Sequence, residues 1–102
     1  MGYNNEDADF LLYGRRLIVY TTNGCVKCAT LKEWLKNSNT EFEEKSLEDI
    51  NVMTELVMRN IVVLSAPVLE IEDRFFTEDQ IFDQNGMLNG RIIELLQQGS
   101  MP

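Results

Sequence analysis

Cys25 and Cys28 are the only two cysteines in the chain, and they stand in the spacing Cys25-Val26-Lys27-Cys28. Residues three apart on a helix share a face, so these two sulfurs are placed to close a short disulfide. The preceding run, Leu17-Ile18-Val19-Tyr20, is apolar and rich in β-branched side chains, which suits a buried strand covered on both faces. Gly24 then supplies a sharp turn, and residues from Lys27 to Lys36 follow a helical pattern. A strand–turn–helix junction seats the first sulfur at a helix N-terminus, where unpaired N–H groups and the macrodipole favour an anion. The anion here would be a thiolate, and stabilising it makes a thiol of pKa ~8.5 a competent nucleophile near neutral pH. The position points to dithiol–disulfide exchange.

Composition narrows the field around that chemistry. The chain of 102 residues, 44% hydrophobic and 25% charged, has apolar material for one core and the charge content of an ordinary globular domain. Its net charge of −8 argues against a nucleic-acid partner, which would need clustered Lys and Arg. There is no histidine, which removes Ser/His/Asp and Cys/His nucleophiles and most zinc-hydrolase chemistry. No apolar run approaches the length of a membrane span, and the first residues, Met1 to Asp7, are polar and acidic, unlike a signal peptide. A cytoplasmic location is the expectation. In a reducing compartment an isolated CxxC is more often catalytic or metal-binding than structural.

Two other roles for the cysteines stand beside exchange. They would serve as small core residues if the junction were buried, although placement after Gly24 exposes the first sulfur. They would form half of a zinc site if two chains came together, although four good ligands per chain are missing. Lys27, between them, either lowers the thiolate pKa from close range or swings into solvent.

The elements that must position the pair follow along the chain. Residues 1–14 read as an N-terminal extension, with Phe10-Leu11-Leu12-Tyr13 as its apolar part, and 15–102 as one domain. After the first strand, Cys28, Leu31 and Leu35 recur at helical spacing, and Asn37 to Thr40 end that helix. Glu41 to Leu47 reads as a second strand with Phe42 inward. A second helix opens at Ser46 or Glu48-Asp49, lines one face with Ile50, Met53, Leu56 and Val57, and ends near Arg59, which complements its dipole. Val68-Leu69-Glu70-Ile71 and Arg74-Phe75-Phe76-Thr77 form a hairpin about Glu72-Asp73. Glu78 to Gly86 reads as a loop, and a last helix to Gln98 turns Ile92, Leu95 and Leu96 inward. Tyr20 and Trp34 are expected in the core, and Met53, Met58 and Met87 as packing residues.

The order β-α-β-α-β-β-α, the segment from Val19 to Cys28 and the triplet Ser65-Ala66-Pro67 resemble the glutaredoxin family of the thioredoxin superfamily. The likeness runs from about Arg16 to Gln98 and is nearest to the glutathione-independent NrdH-redoxins. It implies an α/β thioredoxin-like fold, a four-stranded mixed sheet flanked by three helices. It implies a protein-disulfide reductase with no cofactor and no metal, in which Cys25 attacks and Cys28 resolves through a redox disulfide. It further implies a cis proline at Pro67, with Ser65, Ala66 and Pro67 forming the substrate-binding segment and Ala66 offering its backbone to an extended client. An ordinary trans proline opening an edge strand is the alternative. The implied partners are a disulfide-bearing client, ribonucleotide reductase foremost, and an upstream disulfide reductase, for a protein acting as a monomer. This chain departs from the family pattern at Thr22, where a lysine is usual, at Val26-Lys27, where a Pro-Tyr pair is usual, and near Thr77-Glu78-Asp79, where a Gly-Gly pair is usual. Those departures speak against glutathione as reductant. A glutathione-dependent glutaredoxin and an iron–sulfur or metal carrier are the alternative functions.

Overall fold

The structure, a computed structural model, describes residues 16–98. The chain runs β1 (Leu17–Thr21), α1 (Val26–Asn37), β2 (Glu43–Ser46), α2 (Ile50–Met58), β3 (Val68–Ile71), β4 (Arg74–Phe76), α3 (Glu78–Ile81) and α4 (Gly90–Gln98). The strands lie in the order β2-β1-β3-β4. β1 pairs parallel with β2 and antiparallel with β3, and β4 returns antiparallel on β3. This is the expected four-stranded mixed sheet, with four helices in place of three. The expected boundary at residue 14 and the segment Phe10 to Tyr13 lie outside the described residues.

Both faces of the sheet are covered, which is why β1 is apolar without interruption. Leu17 and Val19 point to one side, where Leu31 and Leu35 of α1, Leu69 and Ile71 of β3, Ile81, Phe82, and Ile92 and Leu96 of α4 close the main core. Ile18 and Tyr20 point to the other side and meet Leu56 and Val68 in a smaller core under α2. Each fully buried Leu or Ile stabilises the fold by about 1.5–3 kcal/mol relative to exposure.

β2 carries Glu43-Glu44-Lys45-Ser46, a poor strand sequence by propensity. It is held by parallel pairing to β1 and by ion pairs on both faces, Glu44 to Lys32 of α1 at 3.0 Å and Lys45 to Glu55 of α2 at 3.8 Å. Charged side chains on this edge also discourage pairing with another chain. Phe42 lies just outside the strand and packs half-buried on the main core.

The helix ends use the expected chemistry. Asp49 caps α2 by accepting the Asn51 N–H at 2.8 Å, and Asn89 caps α4 by accepting the Arg91 N–H at 2.9 Å. Asn39 and Asn60 take positive φ after α1 and α2, and the Thr40 and Ile61 N–H groups close six-to-one bonds to Leu35 and Leu56. The hairpin turns on Glu72 and Asp73, both at positive φ, as a two-residue primed turn requires.

Three expectations need correction. Residues 78–81 form a short helix and not a loop, because Thr77 caps it and the Thr77 N–H donates to Gln80 Oε1 at 2.9 Å. Ile50 and Val57 do not line the buried face of α2; they are 76% and 64% exposed. The inward arc centres on Val52, Met53 and Leu56, and a step of about 100° per residue carries Val57 away from it. Met58 and Met87 are exposed as well, so only Met53 of the three methionines packs.

Candidate active site

β1 is the central strand that delivers the cysteines. It ends at Thr21, and Gly24, at φ +69°, turns the chain into α1. Across that turn the Asn23 N–H donates to Glu48 Oε2 at 3.2 Å, tying the loop to the start of α2. Cys25 is the N-cap of α1, in extended backbone, and its Sγ accepts the Cys28 N–H at 3.0 Å. The Cys25 carbonyl accepts the first helical bond, from Ala29. Cys25 and Cys28 are joined in a disulfide. Cys25 is half-buried, whereas Cys28 is 2% exposed. The pair is therefore asymmetric: a partner approaching from solvent meets the first sulfur, and the second lies behind it.

That asymmetry has an electrostatic counterpart. Sγ of Cys25 occupies the position where an N-cap oxygen usually stands, facing the orphan N–H groups of α1. When the disulfide is opened, negative charge on this sulfur would meet the Cys28 N–H in a charge-assisted hydrogen bond and the positive end of the helix dipole. Among the described residues, none donates a comparable hydrogen bond to Cys28 Sγ.

The Ser65-Ala66-Pro67 segment arrives at the same end of the sheet. Tyr20 of β1 pairs in register with Val68 of β3, so Pro67 stands beside the point where β1 leaves for the cysteine loop. The Ala66–Pro67 peptide bond is cis. Ser65 is exposed, Ala66 half-buried and Pro67 buried.

A residue without a part in the sequence-based site joins these segments. The Lys27 ammonium, between the two cysteines, donates to the Glu78 carboxylate at the start of α3. The hydrogen bond from Lys27, its charge and the Ser65 hydroxyl hold the Glu78 carboxyl below the usual carboxylate range. Lys27 further stands 5.6 Å from the centroid of the Phe82 ring. Lys27 is thus partnered and does not simply swing into solvent. Among the described residues, no group of three or more Cys, Asp or Glu side chains is arranged to hold a metal ion.

The described helices include none long and apolar enough to cross a membrane. No curated protein matches the chain. Solved structures do. The thioredoxin-like protein BC3987 is 27% identical, over 81% of this chain and 97% of that one, with a TM-score of 0.58. The Escherichia coli NrdH-redoxin, a glutaredoxin-like protein with a thioredoxin-like activity profile, is 24% identical over 61% of this chain and 80% of its own, at a TM-score of 0.52. Glutaredoxin 1 from Francisella tularensis is 23% identical over 62% and 81%, at 0.50. These likenesses establish a thioredoxin-like fold. The glutaredoxin family model matches residues 17–76, more than half of the chain, and takes in β1, both cysteines, the cis proline and the β3–β4 hairpin. On that match, with the disulfide at the end of its central strand, the chain belongs to the glutaredoxin family.

Proposed function

We propose that this protein is a thiol–disulfide oxidoreductase that reduces disulfides in other proteins through its Cys25–Cys28 dithiol. One observation carries the reading: Cys25 Sγ caps α1, accepts the Cys28 N–H and is the more exposed of the two bonded sulfurs. In the reduced protein the Cys25 thiolate attacks one sulfur of a client disulfide and forms a mixed disulfide, releasing the other client sulfur as a thiolate. The Cys28 thiolate then attacks Cys25 Sγ and expels the second client sulfur. Two electrons pass to the client, and the Cys25–Cys28 disulfide is left for an upstream reductase to reopen.

Several features favour a protein client over a small thiol. Val26 and Leu64 are 78% and 91% exposed beside the cysteine and proline segments, apolar surface that suits a polypeptide. Ala66, before the cis bond, would pair its backbone with an extended client segment, with Ser65 and Pro67 on either side. The likeness to an NrdH-redoxin supports ribonucleotide reductase as the first client to test, and a dedicated disulfide reductase in place of glutathione as the electron source. A cytoplasmic site of action belongs to this reading, since reducing surroundings keep the dithiol charged with electrons.

The test uses insulin reduction with the reduced protein. Wild type reduces insulin stoichiometrically, Cys25→Ser loses the activity, and Cys28→Ser accumulates a mixed disulfide visible on a non-reducing gel. Activity surviving in Cys25→Ser removes the assignment of the nucleophile.

A further inference from the structure

The charges around the disulfide are arranged unevenly. Lys27 is the cation built into the cysteine loop, and its ammonium is engaged by Glu78. On another side of the same loop, Glu48 accepts the Asn23 N–H. Lys32, Lys45 and Arg59 are engaged elsewhere, by Glu44, Glu55 and Glu70 on the flanks of the sheet. Among the described residues, the three charged groups bonded into the cysteine loop are therefore one ammonium and two carboxylates. Their sum is negative, on a chain that is itself at −8. Remove Glu78, and the Lys27 ammonium, between the two cysteines in sequence, is left without its counter-ion.

We propose that Glu78 determines the charge selectivity of the Cys25–Cys28 site: by engaging Lys27 it makes the face favour disulfides flanked by positive charge over those flanked by carboxylates. The proposal deepens the exchange reading above and rests on it. Glu78 acts here through Lys27 and is a positioning residue. Its location suits the role, because its carboxylate links the cysteine helix to α3 and feels the Ser65 hydroxyl of the proline loop. An incoming client strand laid beside Ala66 would pass this rim.

Three small disulfides separate charge from chemistry: cystamine, with two ammonium groups; 3,3′-dithiodipropionate, with two carboxylates; and the neutral bis(2-hydroxyethyl) disulfide. In each reaction the Cys25 and Cys28 thiols become one protein disulfide, the small disulfide becomes two thiols, and two electrons are transferred. Prereduced protein, freed of reductant, is mixed with each at low ionic strength, and loss of protein thiol is followed. The readout is the ratio of the cystamine rate to the dithiodipropionate rate. Intrinsic reactivity cancels when this ratio is compared between variants, and so does any general loss of structure.

One unit charge about 7 Å from another in water changes an encounter by roughly threefold, so Glu78→Gln should lower the ratio by roughly fivefold to tenfold. Lys27→Gln should raise it, and about 0.5 M salt should flatten both differences. If Glu78→Gln reduces all three disulfides with a ratio within twofold of wild type, the charge assignment is wrong while the exchange reading stands. If prereduced wild type reduces none of them, the neutral one included, both fall.

Discussion

Glu70 and Glu78 each pair with a cation, Arg59 beneath α2 for one and Lys27 beside a disulfide for the other. Glu70 sits on β3 at 4% exposure, in the smaller core. Tyr20 Oη donates to its Oε1 at 2.7 Å and an Arg59 guanidinium nitrogen donates to its Oε2 at 2.9 Å. Arg59 in turn lies over the Phe75 ring at 4.9 Å. Burial pushes the Glu70 carboxyl up, but the hydrogen bonds from Arg59 and Tyr20 outweigh it and hold it below the ordinary range. Burial first, then the hydrogen bond to Glu70 and its charge, push the Tyr20 hydroxyl up against the opposing charge of Arg59. Glu78, by contrast, is partly open to water, and its partner Lys27 is more exposed still. A buried carboxylate with a hydrogen bond to each oxygen ties two strands and the end of a helix together. An exposed one that neutralises a lysine changes what the surface attracts. Comparable pairs on paper thus do different work, and solvent decides which.

The largest test of this contrast is Glu70→Ala. It leaves Arg59 only its longer contact to Asp73 and the buried Tyr20 hydroxyl without its acceptor, which should destabilise the protein by about 3 kcal/mol. For a domain of this size that is a fall in Tm of more than about 10 °C, read by thermal unfolding. Disulfide reduction by the folded fraction should persist, since Glu70 does not reach the cysteines. A loss of Tm no larger than that of a surface substitution would break the comparison.

Acid provides the next measurement. Because the folded pKa of Glu70 lies below its unfolded value, its stabilisation is present above the unfolded glutamate value of about 4.3 and is lost as pH falls through the folded value. The stability advantage of wild type over Glu70→Gln should therefore be full near pH 6 and shrink as pH drops below about 4. Glu44 and Glu78 are also held low, and they contribute equally to both proteins, so the difference isolates Glu70. An advantage that does not change with pH would mean that packing, and not charge, makes Glu70 matter.

These two pairs also mark where the sequence stopped being informative. Local signals carried the element order: the apolar run of β1, Gly24 before the cysteines, the helical spacing of Leu31 and Leu35, and the turn at Glu72-Asp73. They also carried the cysteine pair and, through family likeness, Pro67. The pairings that give each site its electrostatics are another matter. Tyr20 and Glu70 are 50 positions apart, and Lys27 and Glu78 are 51. No window of local pattern spans that distance, and Arg59 looked sufficiently explained by the dipole of α2. One local signal does mark α3: Thr77-Glu78-Asp79-Gln80 has the spacing of a capping box. Taken as a helix start, it would have fixed α3 and turned attention to an acidic first turn. It did not stand out because the helix lasts a single turn and no apolar periodicity follows it.

The smallest expected effect is the one that sharpens the comparison most. Glu78→Gln removes an ion pair between partly exposed side chains, where water screens both charges and two flexible chains must be held in one geometry. Thr77 still caps α3 and Ile81 still packs in the main core, so the helix that carries Glu78 loses no anchor. Thermal unfolding should accordingly place the variant within about 2 °C of wild type. Paired with the shift in substrate charge preference, that result would separate the rim from the core: selectivity altered, stability nearly untouched. A fall of more than about 5 °C would instead make Lys27–Glu78 part of what holds α1 against α3, and the two carboxylates would then be doing the same job at different depths.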